Sequence, residues 1–175
     1  CTGYLGSVRQ ISYVEKICDT LLAPEGRIVV DPAMADHGKL YKGFDEAYAA
    51  KMVHLCEKAD VLLPNVTEAC ILTGMPMPDT CDEAQAEVLL KKLSALGPRT
   101  VVLTGVDYGE SLTGAAILAE GEDEALMAVR KLLSSSLFLG LSDEVPPATA
   151  PNVMQHGHAL ALGQGAVSSF VCSVL

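Results

Sequence analysis

Apolar residues fall at Val8, Ile11, Val14, Ile17, Cys18, Leu21 and Leu22, the i, i+3, i+4 spacing of an amphipathic helix over Ser7 to Leu22, closed by Pro24 and Gly26. Ile28, Val29 and Val30 follow as a β-branched run without polar alternation, as in a parallel strand covered on both faces, and the run stops at Asp31-Pro32. The grammar then repeats. Phe44 to Lys58 carries apolar groups at Phe44, Ala47, Tyr48, Met52, Leu55 and Cys56, and Val61 to Leu63 form a second buried strand that ends at Pro64-Asn65. Asn65 opens a helix running to Leu72. Glu83 to Leu96 is the next helix, Gly97-Pro98 breaks it, and Thr100 to Leu103 is a third strand ending at Thr104-Gly105. Ala115 to Leu118 reads as a further strand, either hairpinned through Gly121 with a neighbour at 126–129 or followed by a solvated turn, since Glu120, Glu122, Asp123 and Glu124 suit both.

Alternating helices and short buried strands at this spacing predict an α/β domain with a parallel sheet between helices. In such sheets ligands gather beyond the carboxyl ends of the strands. The residues that follow the strands are therefore the first candidates for chemistry: Asp31 and Asp36, Asn65 and Glu68, Thr104 and Gly105.

Composition narrows the picture. The 175 residues are enough for one domain with its own core, and half of them are hydrophobic, which excludes an intrinsically disordered chain. Lys and Arg number 12 against 22 Asp and Glu, so the net charge of -10 repels nucleic acid and anionic lipid, and an anionic substrate has to be met locally. No nucleic-acid or membrane partner is expected. The six cysteines form no C-x-x-C pair, which argues against a zinc site and a disulfide scaffold and points to a reducing cytoplasm. Of 34 charged residues, 31 lie in the first 130 positions, so the stretch 131–175 is built differently. A turn-like start at Cys1-Thr2-Gly3 leads to the expectation that the chain begins inside a larger gene product.

Each candidate has a structural reading beside the chemical one. Asp31 at a strand end with Asp36 five residues on supplies the one or two carboxylates that recruit magnesium beside a nucleotide, yet Asp-Pro is also a turn start. Asn65 and Glu68 in P-N-V-T-E make a capping box, and the helix N-terminus they open also favours phosphate, with Glu68 in reach of a metal-bound water. Thr104-Gly105 suits a nucleotide contact or a plain turn. Gly163-Gln164-Gly165-Ala166 precedes a helical run, and glycines so placed bare N–H groups toward developing negative charge. His37, His54, His156 and His158 lack metal-site spacing, and His54 sits in a helix pattern as a structural residue.

Together, T-G-Y-L-G-S at 2–7, D-P-A-M-A-D-H-G-K-L-Y at 31–41, A-D-V-L-L-P-N-V-T-E-A at 59–69 and V-V-L-T-G-V at 101–106 resemble the pyridoxal kinase family of the ribokinase-like superfamily, over about residues 1–130. The first motif favours the vitamin B6 branch over the hydroxymethylpyrimidine kinases, which share the D-P-x-M and P-N-x-x-E elements. The resemblance implies one three-layer α/β/α domain over 1–175 with a mostly parallel central sheet, without the family's N-terminal strands, and with a divergent 131–175. It also implies transfer of the ATP γ-phosphoryl to the 5′-hydroxyl of pyridoxal, pyridoxine or pyridoxamine in a cytoplasmic homodimer. On this match Tyr4 and Tyr41 bind the vitamer, Asp31, Leu63, Asn65, Glu68, Thr104 and Gly105 bind ATP, and Asp36 and Glu68 serve magnesium, with a monovalent cation left open. Lys39 and Tyr41 match a loop that covers the site in the family.

Two departures accompany the match. Family members begin well before this T-G-Y, so part of the substrate pocket is expected to be missing. They also end in H-G-T-G-D, an anion hole followed by the proton acceptor, where this chain offers Gly163 and Gly165 with Ala166 in the acceptor's position. Loss of a general base costs on the order of 10² to 10⁴ in rate. A departure of the reading frame after about residue 120 would explain both the drop in charge and the alanine. The alternatives are a nucleotide- or vitamer-binding relative without turnover, a hydroxymethylpyrimidine kinase, and a nonfunctional fragment.

Overall fold

A computed structural model of the chain describes residues 1–107, 113–119 and 153–156. Helix α1 spans Val8–Leu21 and begins where the Ser7 side chain accepts from Gln10 N. Strand β1 (Val29–Val30) leads to a small hairpin, β2 (Ala35–Asp36) and β3 (Lys39–Leu40). Helix α2 (Glu46–Cys56) is capped by Asp45 and followed by β4 (Val61–Leu62). Helices α3 (Val66–Thr73) and α4 (Glu83–Ser94) each start with a full capping box, Asn65 with Glu68 and Asp82 with Gln85. Strands β5 (Thr100–Asp107), β6 (Thr113–Ala119) and β7 (Val153–His156) complete the described elements.

The main sheet runs in the order β1-β4-β5-β6-β7, parallel from β1 to β5 and antiparallel beyond. Thr2 adds a parallel bridge to Val30 outside β1. Register aligns Val30, Leu62 and Val101 on one face, where they join the buried residues of all four helices in a single core that includes Ile11, Met52, Leu90 and Leu93. Strand alternation puts Val29, Val61, Leu63, Val102 and Ile117 on the opposite face, and they are buried too. Burial on both faces is the reason these strands show no polar alternation.

The elements predicted within the described residues are present, with ends shifted by a few residues, while the helical run expected after Ala166 lies outside them. β5 extends four residues past the predicted Leu103 because β6 pairs with it along its whole length. The neighbour expected for β6 at 126–129 lies outside the described residues, and the two edges of β6 are taken by β5 and β7. The Gly97 break has a steric cause: at φ +146 a Cβ there would lie 2.5 Å from the Glu57 carbonyl oxygen. Among the described residues, no helix is long and apolar enough to cross a membrane.

Candidate functional site

Because β1, β4 and β5 are parallel, their carboxyl ends share one rim of the sheet. Asp31 follows β1 directly, and its N–H donates to Thr2 O at 3.2 Å. Pro64 and Asn65 follow β4 by two and three residues, and Thr104 N donates to Pro64 O at 2.9 Å while its hydroxyl donates to the same oxygen at 3.3 Å. At Gly105 the β5–β6 register shifts, and the residue adopts φ +81, which a side chain would strain. Asp31, Asn65, Thr104 and Gly105 thus sit side by side. Leu63 lies just behind them, wholly buried, with its N–H donating to Val30 O at 2.9 Å, so it reaches the rim only through the chain it precedes.

The hairpin β2–β3 folds over this rim from the D-P-A-M segment. Asp31 is buried, and its Oδ1 accepts from Ala33 N at 3.2 Å, shaping the turn out of β1. Glu68 binds the base of the hairpin to α3: Oε1 accepts from Met34 N at 2.9 Å and from Ala35 N at 3.4 Å, and Oε2 accepts from Asn65 N at 2.9 Å. Asn65 Nδ2 donates to Ala35 O at 2.8 Å. Glu68 was expected to serve a cation. The carboxylate is wholly buried, and both of its oxygens accept from backbone donors of the hairpin base and of Asn65. Asp36, at the end of β2, is instead solvent-facing, and Lys39 stands opposite it in the hairpin register, exposed.

Tyr41 connects these parts. Its N–H donates to Met34 O at 2.9 Å, and its phenol is pushed above the ordinary value first by burial and then by the negative charges of Glu68, Asp36 and Asp31. One hydroxyl therefore lies in the field of all three acids, which the sequence separates by up to 37 positions.

Beside this rim lies an aromatic group. The Tyr4 and Tyr41 rings both approach Phe44, at centroid separations of 5.5 and 6.5 Å, and Phe44 stacks on Tyr48 at 3.8 Å and 3°. Tyr48 is buried, its hydroxyl donates to Leu5 O, and burial with the neighbouring Tyr4 and Glu68 pushes its pKa up to about 12. Tyr4 stays 63% exposed. Sequence reasoning paired neither Phe44 nor Tyr48 with the site, since both satisfied a helix pattern. The signal available was scarcity: four of the eight aromatic residues gather here.

A hydrated magnesium held with nucleotide phosphates needs only one or two carboxylates, which Asp31 and Asp36 would supply. It does not fit a closed cage, because no group of three or more His, Cys, Asp or Glu side chains is arranged to hold a metal among the described residues. Cys18, Cys56, Cys70 and Cys81 are free thiols, and burial pushes Cys56, Cys70 and Cys81 up, which makes these three poor nucleophiles. The expected anion-hole residues Gly163 and Gly165, with Ala166, lie outside the described residues.

Comparison with known proteins gives the family. Residues 2–136 match the phosphomethylpyrimidine kinase family. The chain is 36% identical over 112 residues to an Arabidopsis thaliana pyridoxal kinase, an alignment covering 62% of this chain and 34% of the relative. The crystal structure of a Lactobacillus plantarum pyridoxal kinase is similar at 40% identity and TM-score 0.57, over 67% of this chain and 41% of that one. An ADP complex of a Bacillus subtilis pyridoxal kinase is similar at 27% identity and TM-score 0.55, over 70% and 44%. The chain thus spans less than half the length of each of these relatives. With the rim, the hairpin and the aromatic group falling inside the matched residues, the chain is a member of the phosphomethylpyrimidine kinase family, with the ribokinase-like fold of the pyridoxal kinases it resembles.

Proposed function

We propose that this chain carries the nucleotide side, and part of the vitamer side, of a kinase that moves the ATP γ-phosphoryl to the 5′-hydroxyl of a B6 vitamer. The placement of Asp31 at the end of β1, with the hairpin that bears Asp36 tied to Glu68 and Asn65 and with the Tyr41 N–H bonded to Met34 O, all at the carboxyl rim of the parallel strands, carries this reading. Thr104 and Gly105 border the nucleotide from β5, and Asn65 borders it from the start of α3. Asp31 and Asp36 hold the magnesium that neutralises the phosphates, while the exposed Tyr4 and Tyr41 flank Phe44 as a surface for a pyridine ring. In the transfer the vitamer oxygen bonds to the γ-phosphorus, the bond to the β-phosphate oxygen breaks, and ADP leaves. The hydroxyl proton needs an acceptor, and the sequence match puts Ala166 at that position, so turnover is expected to be slow by about 10² to 10⁴. A monovalent cation, a homodimer and a cytoplasmic setting belong to the same reading.

The test is calorimetry with magnesium-ATP, followed by an assay for pyridoxal 5′-phosphate. Micromolar to millimolar binding with slow product formation is the expected result. No nucleotide binding overturns the reading, and binding without product moves the chain to a non-catalytic role. The family match favours a second substrate class, and phosphorylation of hydroxymethylpyrimidine in preference to pyridoxal would select it.

A further inference from the structure

Three of the four residues from Asn65 to Glu68 hold the β2–β3 hairpin. Asn65 and Glu68 grip its base, through Ala35 O and through the Met34 and Ala35 N–H groups. Thr67 grips its tip: Gly38 N donates to Thr67 Oγ1 at 3.0 Å. The tip is a two-residue turn with both residues left-handed, His37 at φ 49 and Gly38 at φ 74. Such turns suit a hairpin, yet a hairpin with two-residue strands has almost no stability of its own. Its position is therefore set by what it is tied to. The Thr67 side chain is almost wholly buried, so its hydroxyl is held for this donor and not spent on solvent. Asp36 immediately precedes the turn, and Tyr41 lies three residues after it.

We propose that Thr67 is a positioning residue, whose hydroxyl latches the hairpin turn and so holds Asp36 and Tyr41 against the rim. This rests on the kinase reading above. Nothing in the sequence had assigned Thr67 a role. The latch acts without touching the nucleotide: when it opens, the tip frays, and Asp36 and Tyr41 spend less time facing the phosphates.

Thr67→Val keeps the shape and removes the acceptor, while Thr67→Ser restores it. In the full chain, amide exchange at Gly38 in Thr67→Val should quicken by about fivefold, the equivalent of one ordinary hydrogen bond. Its affinity for magnesium-ADP should fall by a similar factor, and Thr67→Ser should return both to the wild-type values. The exchange at core amides of β5 should stay unchanged, which separates a freed tip from general unfolding. Unchanged exchange at Gly38 overturns the latch whatever the nucleotide does. Faster exchange with unchanged magnesium-ADP affinity overturns the positioning role. A wild-type chain that binds no magnesium-ADP overturns the kinase reading instead, a result that Gly38 exchange does not influence.

Discussion

Helix α1 carries the clearest apolar stripe among the described helices and buries only Ile11 fully, leaving Ile17, Leu21 and Leu22 exposed. Helix α3 has no such stripe, yet six of its eight residues are buried. The difference teaches what an amphipathic pattern means: it marks a face that can be covered, and the rest of the chain decides whether it is. α1 rests mainly on α2, with Ile11 in the core and two ion pairs, Glu15 with Lys51 on α2 and Asp19 with Lys58 just beyond its end. α3 is enclosed by β5, the hairpin strand β2, α2 and α4. Enclosure on all sides allows a buried Thr67 and a buried Glu68 there, because each finds backbone donors in the hairpin.

The largest expected effect breaks the enclosed helix. Glu68→Ala leaves the N–H groups of Met34, Ala35 and Asn65 without this acceptor, at about 1 kcal/mol or more apiece. Urea unfolding should therefore show a loss of about 3 kcal/mol, and a loss below about 1 kcal/mol would mean that water takes the place of the carboxylate.

The next effect tests how α1 is anchored. Tyr48 on α2 donates to Leu5 O just before α1, and Tyr48→Phe should cost about 1 kcal/mol. The pH dependence follows from its raised pKa. The phenol is protonated in both states below its ordinary value of 10.0, and between there and about 12 it ionises in the unfolded chain while staying protonated in the folded one. The stability it contributes is thus complete below pH 10 and lost as pH rises toward 12. Unfolding midpoints across that range should fall more steeply in wild type than in Tyr48→Phe, and parallel curves would remove the argument.

The smallest effect lies on the open stripe. Leu21, 75% exposed, should accept Ser with a change within about 0.5 kcal/mol. A loss of 2 kcal/mol or more in thermal or urea unfolding would show that this face is covered in solution, and the contrast between α1 and α3 would disappear.

Much of the fold was legible because local rules dominate it. The capping box at Asn65, breaks at Pro24 and Gly97, and unalternating β-branched runs each depend on a few neighbouring residues. The hairpin was not legible. Its strands are two residues long, too short for a periodic signal, and it is held from α3 by residues about thirty positions away. The acids at 31, 36 and 68 could be named from their places after strands, but their shared field at Tyr41 depends on the parallel order of β1 and β4.

The amino-acid sequence by itself determined the kinds of element, their order and the polar residues that follow each strand, because hydrophobic period, capping and turn chemistry are local. Only the tertiary structure decided that Glu68 is spent on backbone donors, that Phe44 joins Tyr4 to Tyr41, and that Thr67 holds the hairpin tip. Those outcomes turn on which distant donors and rings arrive within a few ångströms, and no local spacing encodes that meeting.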